Sequence, residues 1–215
     1  PHPHLLRGHT SRVRELAFAP DGSWLVSSAE DGTVRWWPLV PAAGAESRVL
    51  FDWGRPWVRV PYDYYHPHFL AVAPDGRLAV ADVGLDRVLF FDGDGRNLEI
   101  GASETMDRPE GVAWAPADVV VVADTWNHRV LAFDPTSGAA RVLPEPEDGW
   151  YGPRAVAVAS DGTIAVTDTG RKRVVLLGFT DGAPYLEIIG GEGSGPGELQ
   201  EPGGVVWLDR RRLLV

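Results

Sequence analysis

Three aspartates recur in one local pattern that could do chemistry. Asp82, Asp124 and Asp168 each follow a short apolar run, and an Arg-Val pair follows each of them five residues later. Three equivalent carboxylates could surround a metal ion. A carboxylate at this distance from an arginine also suits a charge-assisted hydrogen bond that fixes a turn between two strands, and we favour this role. The expected pairs are Asp82 with Arg87, Asp124 with Arg129 and Asp168 with Arg173.

The histidines offer a second set of reactive groups. His9 and Asp31 could act as a catalytic dyad, yet no Gly-x-Ser-x-Gly motif supplies a nucleophile. Two His-Pro-His clusters could each turn two imidazoles to one side of an extended segment, where they could hold zinc or nickel. These clusters contain His2, His4, His66 and His68. Two ligands are too few for a zinc site, so the sequence predicts no metal and no cofactor.

The composition of the chain disfavours several classes of binding partner and of metal site. The chain has 30 acidic and 20 basic residues, and its net charge of -10 disfavours binding along a phosphate backbone. The runs 171–173 and 210–212 are the local basic exceptions. No cysteine is present, which excludes disulfides and cysteine-ligated metals. The apolar runs are only strand-length, so we expect no membrane span; without a targeting signal the compartment stays open, with the cytoplasm favoured.

The elements that must position these residues are revealed by an internal repeat. Four segments share a proline, two variable residues and an apolar strand, beginning at Pro67, Pro109, Pro153 and Pro202, which are 42, 44 and 49 residues apart. Each period reads as four strands separated by turns, and Asp-Gly pairs supply tight hairpin turns. Four strands in about 40 residues are typical of a propeller blade. The sequence therefore predicts an all-β propeller of four-stranded antiparallel blades, about four complete and one partial.

The first repeat resembles the WD (WD40) family. Residues 8–39 contain the Gly8-His9 pair, the Asp31-Gly-Thr-Val-Arg turn and Trp37, whereas Pro38 replaces the final aspartate of the family signature. In that family a histidine, a serine, an aspartate and a tryptophan form a hydrogen-bonded tetrad. The resemblance assigns this structural role to His9, Ser27, Asp31 and Trp37, which explains the apparent dyad.

From about residue 66 onward the chain resembles NHL repeats. The Asn127-His128 pair and the Gly-rich spacer at 190–202 match that family, but the second and fourth repeats lack the Asn-His pair. The predicted units are a WD-type blade at 8–50, NHL-type blades at 61–103, 108–144 and 152–190, and an incomplete blade at 201–215, all in one array over 1–215. Both ends fall within a repeat. We therefore expect a fragment of a larger hybrid propeller, whose ring is completed by other parts of a longer chain or by another copy.

Aromatic residues give the strongest indication of a binding function. The segment 51–69 is rich in rings and stretches the spacing of Asp-Gly turns to 54 residues. In a blade, the connection to the next blade emerges on the same face as the turn between the second and third strands. Tyrosine and tryptophan there suit a binding hot spot, although packing beneath the loop is an open alternative. The candidates are Trp57, Tyr62, Tyr64, Tyr65, His66, Trp126, His128, Trp150 and Tyr151.

Three functions follow from these features. The favoured one is a non-catalytic scaffold that binds a protein, a peptide or a small ligand on its top face. The resemblance also permits a propeller enzyme of the lactonase or lyase kind with a central metal, but no convergent acid set stands out. RNA binding, known among NHL propellers, is disfavoured by the acidic charge.

Overall fold

The regular structure consists of β-strands and short 3-10 turns. A computed structural model describes residues 6–39, 48–52, 67–98, 105–209 and 211–215. Within these residues, 17 strands form five sheets, and every sheet joins strands that are neighbours in the chain. All pairings between named strands are antiparallel. The predicted all-β architecture is confirmed.

The five sheets follow one another along the chain. The first contains β1 (Val13–Phe18), β2 (Trp24–Ala29), β3 (Thr33–Pro38) and β4 (Arg48–Asp52). The second contains β5 (Pro67–Val72), β6 (Leu78–Asp82) and β7 (Arg87–Phe91). The third contains β8 (Pro109–Ala115), β9 (Val119–Asp124), β10 (Arg129–Phe133) and β11 (Ala140–Val142). The fourth contains β12 (Pro153–Val158), β13 (Ile164–Asp168), β14 (Arg173–Thr180) and β15 (Ala183–Gly190), and the fifth contains β16 (Val206–Asp209) and β17 (Arg212–Leu214).

The expected architecture is about four complete four-stranded blades and one partial blade. Three sheets have four strands, the second has three and the fifth has two among the described residues. The last residues of the predicted second blade, 99–103, lie outside the described part of the chain.

The second strands of the sheets are short and almost wholly apolar. All five residues of β6 and of β13 are buried, because each strand packs against a neighbouring sheet on both faces. Valine and alanine suit this position, where β-branched side chains fill the pleat and small ones allow close approach. This double burial explains why the sequence shows continuous apolar runs rather than alternation.

Apolar clusters join each sheet to the next one. Val26, Leu78 and Phe91 belong to the cluster between the first and second sheets. The rings of Phe90 and Phe133 stack with centroids 5.5 Å apart between the second and third sheets. A further cluster joins the third sheet to the fourth. The first strands of successive sheets are also neighbours, so the sheets are arranged radially about a common axis.

Hydrogen bonds at repeated positions reinforce this radial packing. The indole N–H of Trp114 donates to the carbonyl of Ala71 at 3.1 Å, and the indole N–H of Trp207 donates to the carbonyl of Ala157 at 3.3 Å. Each bond links the first strand of one sheet to the first strand of the preceding sheet. The two-stranded fifth sheet therefore packs against the fourth sheet in the same way as the third sheet packs against the second. No helix in the described ranges is long and apolar enough to cross a membrane.

Candidate docking surface at the turns

Turns between the second and third strands position the candidate site. In sheets two, three and four, a buried aspartate ends the second strand and a 3-10 turn follows it. The turn ends at a left-handed residue, which is Asp86, His128 or Lys172, with φ of 53°, 50° and 56°. Left-handed backbone at a non-glycine residue is uncommon, so strong local contacts must hold it.

The predicted aspartate–arginine pairs lie at these turns. The guanidinium Nε of Arg87 lies 3.0 Å from a carboxylate oxygen of Asp82, and the equivalent distances are 2.6 Å in the third sheet and 2.9 Å in the fourth. All three carboxylates are 0% exposed. The aspartates lie in separate sheets, and no group of three His, Cys, Asp or Glu residues among those described could hold a metal ion.

In the third and fourth sheets, the other carboxylate oxygen of the turn aspartate accepts a hydrogen bond from the backbone just before the first strand of the same sheet. Asp124 accepts a hydrogen bond from the backbone N–H of Asp107 at 2.8 Å, and Asp168 accepts one from Tyr151 at 2.8 Å. Asp82 differs, because its Oδ1 has no hydrogen-bond partner among the described residues. Burial raises the pKa of Asp82 to about 6, although the hydrogen bond and charge of Arg87 oppose this rise.

Two exposed rings lie at the turns of the third and fourth sheets. Trp126 is 51% exposed, and the guanidinium of Arg108 lies over its ring at 4.2 Å from the centroid. Tyr151 is 58% exposed, and it stacks on His128 with ring centroids 5.5 Å apart. We call these four residues the turn-face surface. It presents flat aromatic area beside a positive charge, which is a composition enriched in binding hot spots.

The backbone around Tyr151 fixes the position of its ring. His128 Nδ1 accepts a hydrogen bond from the N–H of Gly152 at 3.1 Å, so a neutral His128 carries its proton on Nε2. The N–H of Gly170 donates to the carbonyl of Tyr151 at 2.9 Å. A Cβ at position 170 would lie 2.2 Å from the tyrosine ring, which explains the glycine. These contacts restrict the positions that the Tyr151 ring can adopt.

An equivalent hydrogen bond to the turn of the preceding sheet fixes the backbone of Arg108. Its backbone N–H donates to the carboxylate of Asp86 at 2.8 Å, as Gly152 donates to His128 one sheet later. Its φ of 45° is also left-handed. Sequence reasoning missed Arg108, and the available signal was its place directly before the strand proline, where Gly152 stands in the next repeat.

The structure corrects one predicted docking residue. Trp150 is only 5% exposed and belongs to the apolar cluster between the third and fourth sheets. It packs there with Leu143 and Val130, and so contributes to the core rather than to a docking surface. The prediction failed because sequence distance from a turn does not show which of two adjacent rings points inward. Five other candidates, Trp57, Tyr62, Tyr64, Tyr65 and His66, lie outside the described residues.

The first sheet contains the four residues assigned to the tetrad. His9 Nε2 lies 2.6 Å from Ser27 Oγ, and His9 Nδ1 lies 3.0 Å from Asp31. The indole N–H of Trp37 donates to Ser27 Oγ at 2.8 Å. Burial raises the pKa of Asp31, but hydrogen bonds from Thr33, the backbone and His9 outweigh it, so the pKa is lowered. The network links the turn to strands β2 and β3 and so has a structural role in the first sheet.

A charged cluster near the axis was also missed from the sequence. Glu110 is 3% exposed, and its carboxylate lies 2.8 Å from Arg154 Nε and 3.7 Å from His68 Nδ1. The three residues occupy the same place in the first strands of three successive sheets, directly after the strand proline. Burial raises the pKa of Glu110, but the hydrogen bond of His68 and the charge of Arg154 outweigh it and hold the pKa below its ordinary value.

Comparison with known proteins agrees with this arrangement of repeats. Residues 2–38 match the family model described as "WD domain, G-beta repeat", and residues 106–133 match the NHL repeat model. The chain is similar to the ribosome biogenesis protein ERB1 of Ajellomyces capsulatus, with 58% identity over 48 residues, which are 22% of this chain and 6% of that protein. Mouse (Mus musculus) Striatin-4 is 26% identical over 212 residues, which cover 91% of this chain and 28% of that protein.

Solved propellers share the fold at low sequence identity. A catalytically inactive variant of virginiamycin B lyase from Staphylococcus aureus superposes with a TM-score of 0.66 at 14% identity, covering 95% of this chain and 62% of the lyase. The structure of U3-55K superposes with a TM-score of 0.68 at 18% identity, covering 85% of this chain and 54% of that chain. The chain thus spans less than two thirds of each of these proteins. It is a β-propeller array that carries a WD40 repeat in its first sheet and an NHL repeat in its third.

Proposed function

We propose that this chain is a non-catalytic scaffold that binds a protein or peptide partner through the turn-face surface. The observation that carries the proposal is the pair of half-exposed rings, Trp126 and Tyr151, each backed by a second flat group. An exposed tryptophan normally lowers solubility. Here, hydrogen bonds and ring stacking fix the residues next to both rings. Rigid aromatic area of this kind contributes much of the binding energy in protein interfaces.

The alternative of a lactonase-like or lyase-like enzyme has less support. The lyase resemblance is at 14% identity and concerns the fold alone. The aspartates of the turns, the tetrad residues and Glu110 in the charged cluster near the axis all contact other side chains of the chain. His9 contacts Ser27 as a base would contact a nucleophile, but Ser27 is buried and its Oγ also accepts a hydrogen bond from Trp37, which fits the structural tetrad. A binding role uses the surface groups that those contacts leave exposed.

The test is capture of a partner from a lysate of the source organism by the immobilised chain. The double variant Trp126→Ala, Tyr151→Ala should lose at least about tenfold of the captured partner, since each hot-spot ring contributes more than about 1 kcal/mol. Phe18→Ala is the matched control, because Phe18 is 60% exposed on the first strand of another sheet. Both variants should keep the far-UV circular dichroism of the original chain. Equal capture by the double variant and the original chain would refute the proposed surface.

A further inference from the structure

The outer edge of the fourth sheet is the longest exposed edge among the described sheets. Its last strand, β15, has eight residues, whereas β4 has five and β11 has three. β15 pairs with β14 over its whole length without a bulge. Every one of its side chains is exposed, including Tyr185, Leu186 and Ile188. Long, flat, apolar edges are templates for pairing with another strand.

The turn before β15 determines which backbone groups face outward. Asp181 and Gly182 have φ of 50° and 81°, and they form a two-residue turn flanked by the pair Thr180 and Ala183. Residues that flank such a turn bond to each other, so the backbone of Ala183 faces β14. Alternation then directs the N–H and C=O groups of Leu186 and Ile188 outward. Pro184 agrees with this phase, since proline on an edge strand turns its nitrogen to solvent.

The side chains of β15 differ between its two faces. Leu186 and Ile188 pair across the strand with Leu177 and Val175, so they share the face that packs toward the third sheet. Glu187 lies on the opposite face and is the one charge in the strand. An added strand would therefore meet apolar side chains on one face, and on the other a carboxylate that lies between Tyr185 and Ile189.

Charge indicates the chemistry of the partner. Residues 174–209 contain six acidic side chains and no basic one, and the whole chain has a net charge of -10. A second copy of the chain would bring like charges together at this edge. A basic residue opposite Glu187 would instead gain a cross-strand ion pair.

We propose that β15 accepts an extended segment of a partner protein, in which apolar residues alternate with polar ones and a lysine or arginine lies opposite Glu187. The added strand bonds to the outward backbone groups of Leu186 and Ile188, and alternate side chains supply specificity. The site is at the rim of the array, whereas the turn-face surface lies at the turns. No residue belongs to both sites.

The test uses a short fluorescent peptide in which valine alternates with threonine and one central residue is lysine. Fluorescence anisotropy with the full chain should show saturable binding. Ile188→Pro should weaken it about tenfold, because one outward N–H is lost and the ring blocks the edge. Ile188→Val is the matched control, since it keeps the N–H and should bind as the original chain does.

Two further measurements distinguish strand addition from charge attraction alone. A peptide of the same sequence with N-methylated valines should bind about tenfold more weakly to the original chain, a result that does not depend on how Ile188→Pro folds. Glu187→Lys should weaken binding of the lysine peptide about fivefold and strengthen binding of the same peptide with a central glutamate. Absent binding, or equal binding of the methylated peptide, would overturn the proposal. Dimerisation of the chain that Ile188→Pro abolishes would assign the edge to a second copy instead.

Discussion

The substitution Asp124→Asn tests the role of the buried turn aspartates most directly. Asp124 is 0% exposed, and three donors among the described residues bond to its carboxylate. Its oxygens accept from Arg129 Nε at 2.6 Å, from Asn127 Nδ2 at 2.9 Å and from the N–H of Asp107 at 2.8 Å. An asparagine would turn its amide group toward one of these donors. It would also remove the counter-charge of the arginine.

The expected cost follows from these contacts. A buried donor without a partner costs about 1–3 kcal/mol, and removing one member of a buried ion pair costs about 3–5 kcal/mol. The side chain of Arg129 is 27% exposed, so water compensates part of the loss. We expect Asp124→Asn to lower the free energy of unfolding by about 3 kcal/mol. At roughly 2–4 °C per kcal/mol, the Tm should fall by roughly 6–12 °C.

Asp82→Asn is the matched comparison, because Asp82 occupies the equivalent turn and, among the described residues, its Oδ1 lacks the backbone donor that Asp124 has in Asp107. Its folded pKa of about 6 lies above the ordinary value of 3.8. Its contribution to stability is therefore complete below about pH 3.8 and is lost as the pH rises through about 6. The cost of Asp82→Asn should be about 2 kcal/mol smaller at about pH 7.5 than at about pH 4.5.

Urea unfolding followed by tryptophan fluorescence at both pH values measures these differences. At about pH 7.5, Asp124→Asn should be clearly more costly than Asp82→Asn. Equal costs for the two substitutions at that pH would show that the hydrogen bonds to Asp124 do not set its contribution, and the reasoning would fail.

Three further substitutions test other parts of the array by urea unfolding or thermal melting. Glu110→Gln should cost about 2 kcal/mol at neutral pH, and because the folded pKa is lowered, the cost should decline as the pH falls below the ordinary 4.5 and vanish below the lowered folded pKa; a pH-independent cost would contradict the ion-pair role. Ala117→Gly should raise the Tm, since Ala117 has a φ of 62° and glycine relieves about 1 kcal/mol of strain there; a lower Tm would contradict this. Ser27→Ala should cost about 2 kcal/mol, because it leaves the buried N–H of Trp37 without its acceptor, whereas Ser23→Ala, which removes a hydrogen bond to the exposed Asp21, should cost less.

The repeat was readable from the sequence because it is a local pattern. The strand prolines, the Asp-Gly turns and the continuous apolar second strands each depend on neighbours a few residues away. The same holds for Asp124 and Arg129, since the short turn between the two strands places the arginine beside the aspartate five residues before it. Local geometry therefore determined the strands, the turns and the fold class.

Contacts between sheets could not be obtained in this way. Trp150 and Tyr151 are adjacent in sequence, yet one fills the core between two sheets and the other is 58% exposed. Glu110 meets His68 and Arg154 only because the first strands of three sheets converge near the axis. The sequence determined the blades and their turns, since these depend on periodicity and backbone preference. Only the tertiary structure decided which rings face solvent and which charges meet, because both depend on how sheets far apart in the chain pack together.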